Sequence, residues 1–280
     1  ESSAIETYGD INEWDVSAIT DFSSLFQNKT TFNSDISNWN VSNGNDFGSM
    51  FSFATSLSQD IISSFNQDLS NWDVSSGTNF KYMFQGADSF NQNLNNWDVS
   101  SGEDFYGMFM YCQNFNQDLS NWNVGNGEDF GGMFEHADSF NQDISSWDVS
   151  SGENFNWMFY DADLFNQDLS NWDVGNGIQF IAMLSRTPFN QDISSWDVSS
   201  GNNFQGMFYQ SIEFNQDITS WNIHLNANLD SLFAGSKRML SEGWSATPTS
   251  SDFLGQTIRG NATAEKINGS AGNDILSGLG

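Results

Sequence analysis

The chain has 280 residues, of which 36 are acidic and 7 basic, for a formal charge of −29. That charge excludes binding to DNA, RNA or an anionic membrane through a general attractive field. An aromatic content of 15%, with 26 Phe and 11 Trp, excludes disorder over most of the length.

No apolar run approaches the roughly 18 residues of a membrane span. The opening Glu1-Ser2-Ser3 shows neither a basic nor an apolar targeting segment. Cys112 is the one cysteine, so an intrachain disulfide framework is excluded. Residues 1–10 read as a lead-in. From residue 11 to 235 the sequence repeats. Trp14, Trp39, Trp72, Trp97, Trp122, Trp147, Trp172, Trp196 and Trp221 follow one another by 25, 33, 25, 25, 25, 25, 24 and 25 residues. The long step holds a duplicated turn segment, Leu57–Ile61 ahead of Phe65–Leu69. The short step lies at Arg186–Phe189, where Pro188 stiffens a shortened turn.

Each unit mixes two periodicities. Trp72-Asp73-Val74 alternates apolar and polar, which predicts a short strand with Trp and Val inward. A Ser-Ser-Gly or Gly-Asn-Gly turn follows. Phe80, Met83 and Phe84 fall at i, i+3 and i+4, the spacing of one helical face. Phe90-Asn91-Gln92-Asn93 then reverses the chain. One such unit cannot bury its own apolar face, but stacked units can. The predicted fold is an α/β solenoid, leucine-rich-repeat-like. It has about nine 25-residue coils, a parallel β-sheet on one face and short helices on the other.

In that arrangement the residues flanking Trp form a flat polar plate. Asn71, Asp73, Asn96, Asp98, Asn121, Asn123, Asp148, Asn171, Asp173 and Asp197 are its candidate ligand-binding residues. The plate reads either as a recognition face for a cationic or polyhydroxylated ligand or as a solvated strand face. Stacked like charges on it are unfavourable. The ladder Asn33, Asn66, Asn91, Asn116, Asn141, Asn166, Asn190 and Asn215 reads as structural, satisfying backbone groups of neighbouring coils. The acidic ladder two residues on, Asp35, Asp68, Asp118, Asp143, Asp168, Asp192 and Asp217, reads first as turn-forming, with Ca²⁺ binding between coils as the alternative. Trp157 is out of register, on the expected helical side. Cys112 reads as an incidental free thiol in a turn where other units carry Asp or Ser. His136 and His224 lie too far apart in the repeat to form a metal pair. No nucleophile–base pair, zinc motif or phosphate loop is present, so the chain does not read as an enzyme.

The L-x-x-W-x-V, M-F and F-N-Q-D motifs, with Phe140–Ser151 as the fullest example, resemble those of BspA-like leucine-rich-repeat surface proteins. The resemblance covers residues 11–235. It implies a secreted or cell-surface protein engaged in adhesion. The departure is Gly77, Gly102 and Gly152, where the family form has an apolar residue, which suggests a more open turn. Residues 236–259, with Trp244 and Pro248, read as a C-terminal cap. Residues 260–280 resemble the start of RTX calcium-binding nonapeptides. Gly260, Gly269 and Gly278 are nine apart, and Gly272 and Asp274 form a half-site for Ca²⁺. The RTX resemblance implies a bacterial adhesin exported by type I secretion. The expected function is therefore an extracellular, monomeric binding module for a surface glycan or protein of another cell, without nucleic acid or membrane insertion. The alternative is a rigid spacer. Ice binding is disfavoured, because the plate carries Asp rather than regular Thr.

Overall fold

The computed structural model describes residues 6–53 and 63–253. Successive units lie one upon the next. Isolated parallel bridges join them in a single chain of contacts from Asp21 through Asp46, Asn79, Asp104, Asp129, Asn154, Gln179 and Asn203 to Asn228.

After each bridge residue the backbone forms a ribbon of consecutive β-turns. The N–H groups of Phe80, Tyr82, Phe84 and Gly86 donate to the carbonyls of Asp104, Tyr106, Met108 and Met110 in the next coil, at 2.7–2.9 Å. The intervening Met83, Gln85 and Ala87 donate back to Phe80, Tyr82 and Phe84 in their own coil. Alternate groups thus serve alternate directions, and every donor is used. The geometry demands positive φ at the third residue of two turns per coil, as a type II turn does. Tyr82 (φ 55°) and Gly86 (φ 69°) occupy those places in this unit.

The other two sides of the coil have no such backbone ladder, and side chains join the coils there. The Asn91 carboxamide oxygen accepts the Asn116 N–H at 3.0 Å and the Gln117 amide at 2.9 Å. The Trp122 indole N–H donates to the Leu94 carbonyl at 2.9 Å, and that carbonyl also closes the turn to Trp97 in its own coil. At the third corner Ser101 and Asn126 donate to the carbonyls of Ser75 and Ser100 at 2.8 and 2.7 Å. The Asn, Trp and Ser/Asn positions of the repeat are therefore hydrogen-bonding rungs, one per corner.

Inside, the apolar residues stack on their own counterparts. Trp72, Trp97 and Trp122 follow one another at 6.5 Å with planes 1° apart. The Phe80, Phe105 and Phe130 rings, beside the ribbon, are 5.6 and 5.7 Å apart. The closer spacing places the ribbon on the inside of the bend. Phe84 also stacks on Phe90 across its own coil at 4.2 Å, which ties ribbon to corner. Such offset-stacked pairs add about 0.5–1.5 kcal/mol each beyond area burial.

Two expectations differ from what the described residues show. Trp-Asp-Val contributes no strand to a sheet, because the inter-coil backbone bonds run through the Phe-x-x-Met-Phe segment instead. That segment forms no helix. Among the described residues, α-helix is confined to residues 6–8 and to α1 (Lys237–Ser241), with 3-10 turns at Ile11–Glu13 and Ser250–Asp252. Phe80, Met83 and Phe84 do face inward together, as a helix would place them, but on linked turns. The turn after Val is also closed rather than open. A β-carbon on Gly102 would lie 2.4 Å from Cζ of Phe105 and 3.0 Å from the Val99 carbonyl. The duplicated segment Leu57–Ile61 lies outside the described residues.

At the C-terminal end the ladder is finished by other means. The Phe233 N–H donates to Ala246, and Ser231 donates to the Thr247 hydroxyl. Trp244 covers Phe233 edge-on at 5.1 Å, and Phe253 covers Trp244. At the opposite end Trp14 is 42% exposed, and its indole N–H donates to the Tyr8 carbonyl at 3.1 Å.

Gly102→Ala tests the closed turn. The intruding methyl must displace a stacked Phe ring, so the variant is expected to lose about 1–3 kcal/mol in a urea melt. Ser100→Ala, at an outward position of the same corner, is expected to stay within about 0.5 kcal/mol of the parent.

Candidate functional site

The ten plate residues are all exposed. The Asp members are engaged in their own turns. Asp73 accepts the Ser75 hydroxyl at 2.6 Å and its N–H at 3.1 Å. Asp98, Asp148 and Asp197 accept the N–H two residues on at 3.0 Å, as Asp173 does from Gly175. The hydroxyl and N–H of Ser100, Ser150 and Ser199 hold the carboxyls of Asp98, Asp148 and Asp197 below the ordinary value. The acidic ladder two residues past Asn does the same: Asp68, Asp118, Asp143 and Asp168 each accept the Ser N–H two residues on at 2.9 Å. The plate converges at one place. Asn96, Asp98, Asn121 and Asn123 line a shallow depression of about 320 Å³ with Asn95 and Trp97. Asn71, Asp73, Asp148, Asn171, Asp173 and Asp197 do not line it. Gly272 and Asp274 lie outside the described residues.

The ribbon carries a different chemistry. Its outward positions break the repeat, and Tyr82, Tyr106, Tyr111, His136, Trp157, Tyr160 and Tyr209 stand there, each partly buried. Small residues on the following coil make room for them. The Tyr82 ring fills the space that a β-carbon on Gly107 would need, at 2.5 Å, and the Tyr106 ring does so at Gly131, at 2.7 Å. Tyr82 and Tyr106 meet edge to face at 5.1 Å. The Lys81 ammonium sits 4.8 Å from the Tyr106 ring centre and 3.8 Å from Asp104. At the second turn of the Tyr106 coil, Tyr111 stacks on His136 of the next coil at 4.7 Å, and Tyr160 meets His136 edge-on at 5.5 Å. Asp161 lies between His136 Nδ1 (3.6 Å) and Arg186 (3.4 Å), and Arg186 lies over Tyr160 at 5.7 Å.

Beyond this row a cleft of about 460 Å³ opens. Trp157, Tyr160 and Tyr209 form its walls, and Ile181, Ala182, Ser185, Gln205, Gly206 and Ser231 complete it. A neighbouring cleft of about 610 Å³ is charged, with Asp161, Asp163, Arg186 and Glu213 around Pro188 and the exposed Ile212. It lies at the shortened turn, so the missing residue leaves a gap in the surface.

Four of the ring positions are conformationally costly. Tyr82 (φ 55°), Tyr111 (φ 59°) and Trp157 (φ 55°), beside His136 (φ 54°), hold the left-handed conformation that bulky side chains avoid, at places where other coils have Gly107, Gly132 and Gly206 at the first turn or Gly86 and Gly235 at the second. The fold itself does not need aromatic side chains there.

The acidic groups behind the ribbon are unlike those of the plate. Burial pushes Glu135 up to about 7, with Asp161 adding to it. Burial raises Asp88 and Asp138 to about 6, and neighbouring Asp163 and Asp161 add to the second. Burial lowers His136. Cys112 is fully buried and donates to the Phe84 carbonyl at 2.9 Å. It stands in register with Ala87 and Ala137, not with Asp or Ser as expected, and Ser211 makes the same bond to Leu184. It is a rung of the core. Among the described residues no group of three or more His, Cys, Asp or Glu is arranged to hold a metal ion, and no helix is long and apolar enough to cross a membrane.

Two expected outcomes follow from this geometry. A carboxyl raised on folding stabilises the fold below its unfolded pKa and loses that contribution as pH rises through the folded value. Thermal stability should therefore rise on acidification from about pH 8 to about pH 5, and fall again below about pH 4 as the turn-bound Asp side chains protonate. Neutral His136 opposes the rise below its ordinary value. Glu135→Gln should raise the unfolding free energy at pH 8, by on the order of 2 kcal/mol, and flatten the acid-side gain. In the second case, Trp157→Gly should be about 1 kcal/mol more stable than Trp157→Ala, because glycine alone relieves the positive φ. Chemical denaturation of the two variants decides it.

A family model described as a Mycoplasma protein of unknown function, DUF285, matches the chain at residues 2–106, 62–142, 103–188 and 178–247. The overlapping matches tile the repeats. No curated protein matches the chain, and no solved structure does.

Proposed function

The chain belongs to the DUF285 repeat family, and we propose that it is the extracellular binding module of a larger adhesin, built as a solenoid and attaching to a glycan or protein on another surface. The observation that supports this reading is the ribbon. The plate repeats small polar residues, whereas the ribbon gathers Tyr82, Tyr106, Tyr111, Trp157, Tyr160 and Tyr209, three of them against conformational preference. Partly exposed Tyr and Trp are the side chains that dominate binding energy at interfaces. A spacer needs none of them. The concave side of a stacked-repeat protein is also where ligands commonly sit.

A second reading places the ligand on the plate. It is favoured by the convergence of Asn96, Asp98, Asn121 and Asn123 on one depression. Calcium enters the proposal through Gly272 and Asp274, where the RTX resemblance lies, and with it export by type I secretion.

Beads carrying the chain at fixed density, offered to a panel of intact cells, test the proposal. The triple variant Tyr106→Ala, Trp157→Gly, Tyr209→Ala is expected to lower cell retention at least ~10-fold. The quadruple variant Asn96→Ser, Asp98→Ser, Asn121→Ser, Asn123→Ser should leave it unchanged. The reverse ranking moves the site to the plate. No retention by the parent chain on any cell supports the spacer.

A further inference from the structure

We infer that the cleft between Trp157, Tyr160 and Tyr209 takes an uncharged pyranose glycan. The inference rests on the binding-module reading and names its ligand class. The argument begins with the backbone. Along the ribbon, N–H groups alternate between the next coil and the carbonyl three residues back, as in Trp157 to Ile181, Phe159 to Met183 and Tyr160 to Trp157. No edge is left for an added peptide strand, which binds through main-chain hydrogen bonds. A helix, about 10–12 Å across with its side chains, does not fit a cleft of about 460 Å³.

The polar atoms of the cleft point the same way. The Ser185 hydroxyl is spent on the Tyr209 carbonyl at 2.9 Å. The Gln210 amide lies 3.1 Å from the Tyr209 hydroxyl and fixes that end of the ring. Gln205 is exposed at the rim, where its amide can meet hydroxyl groups. Aromatic walls suit the C–H faces of a sugar ring, and amides at the rim suit its hydroxyls. Charge narrows the class further. A formal charge of −29, with Asp161, Asp163 and Glu213 outnumbering Arg186 in the adjoining cleft and Arg186 itself paired with Asp161 at 3.4 Å, repels sulfated, sialylated or phosphorylated chains. A neutral glycan carries no such penalty.

The test uses cells that retain the parent chain, treated either with periodate, which cleaves vicinal diols, or with a broad protease. Dextran, yeast mannan and heparin serve as soluble competitors. Trp157→Gly is the informative variant, since glycine already holds the equivalent positive-φ places Gly132 and Gly206. Retention is expected to vanish after periodate, to survive protease and to yield to dextran or mannan rather than heparin. Trp157→Gly should reduce it about 30-fold. Loss after protease with survival of periodate would mean a protein ligand, overturning this inference while leaving the binding module standing. Competition by heparin alone would overturn the neutrality of the ligand. Full periodate-sensitive retention by Trp157→Gly would overturn the assignment to this cleft. If no cell retains the parent chain, the binding module itself falls, and the inference with it.

Discussion

The constraint on which the rest of this structure depends is backbone satisfaction in a coil of about 25 residues. Among the described residues the coils are built without a helix or an extended strand, with only isolated bridges between them. The peptide groups of each coil must find partners in the loop above, the loop below or themselves. The solution is the turn ribbon, in which one N–H goes to the next coil and the following one goes back three residues. A chain that alternates in this way needs positive φ twice per coil. The ribbon positions fill with Gly, Ser and Asn wherever nothing else intervenes, as at Ser24, Asn28, Gly107 and Gly132. Ladders of Asn, Trp and Ser side chains then close the two sides the ribbon leaves unbonded.

The period, the inward-facing Trp row and the Asn ladder were all legible in the sequence. Each leaves a mark at a fixed interval, and stacking like on like makes the interval the same for core and rung. The ribbon was not legible as such. Phe80, Met83 and Phe84 fall at i, i+3 and i+4 both on a helix and on linked turns, so apolar spacing alone cannot separate them. The discriminating mark was the recurrence of small residues two places after the first Phe, as at Ser24, Ser49, Gly107, Gly132, Ala182 and Gly206. A helix has no use for them, and type II turns require them. Gly77, Gly102 and Gly152 misled for a related reason. Glycine suggested an open turn, whereas the structure uses its missing β-carbon to admit a Phe ring edge.

The plate and the ribbon differ in what their regularity means. Asp73, Asp98 and Asp148 recur because every coil needs the same turn held by the same carboxylate, and that recurrence drew attention to them. The ring residues of the ribbon are irregular. Trp157 stood out as a tryptophan out of register, but Tyr106, Tyr160 and Tyr209 left no periodic trace. Their meaning depends on neighbours one coil away, such as Gly131 beneath Tyr106. A residue paired with a glycine 25 positions later is a three-dimensional signal that a single unit does not contain.

The division of labour between the faces has an energetic logic. Corners built from hydrogen-bonded rungs cannot vary without breaking a rung, because each Asn or Trp serves a group in the adjacent coil. The outward ribbon positions serve no such group, since there the backbone bonds to itself. They are the one face where a large side chain costs about 1–2 kcal/mol of left-handed strain and breaks no inter-coil bond. The stacked aromatic core supplies stability in excess of what that strain removes. The same feature that makes the ribbon the structural spine of the coil therefore also frees its outer surface to carry different side chains in each unit. A repeat protein can keep its register there while its ligand chemistry changes from coil to coil.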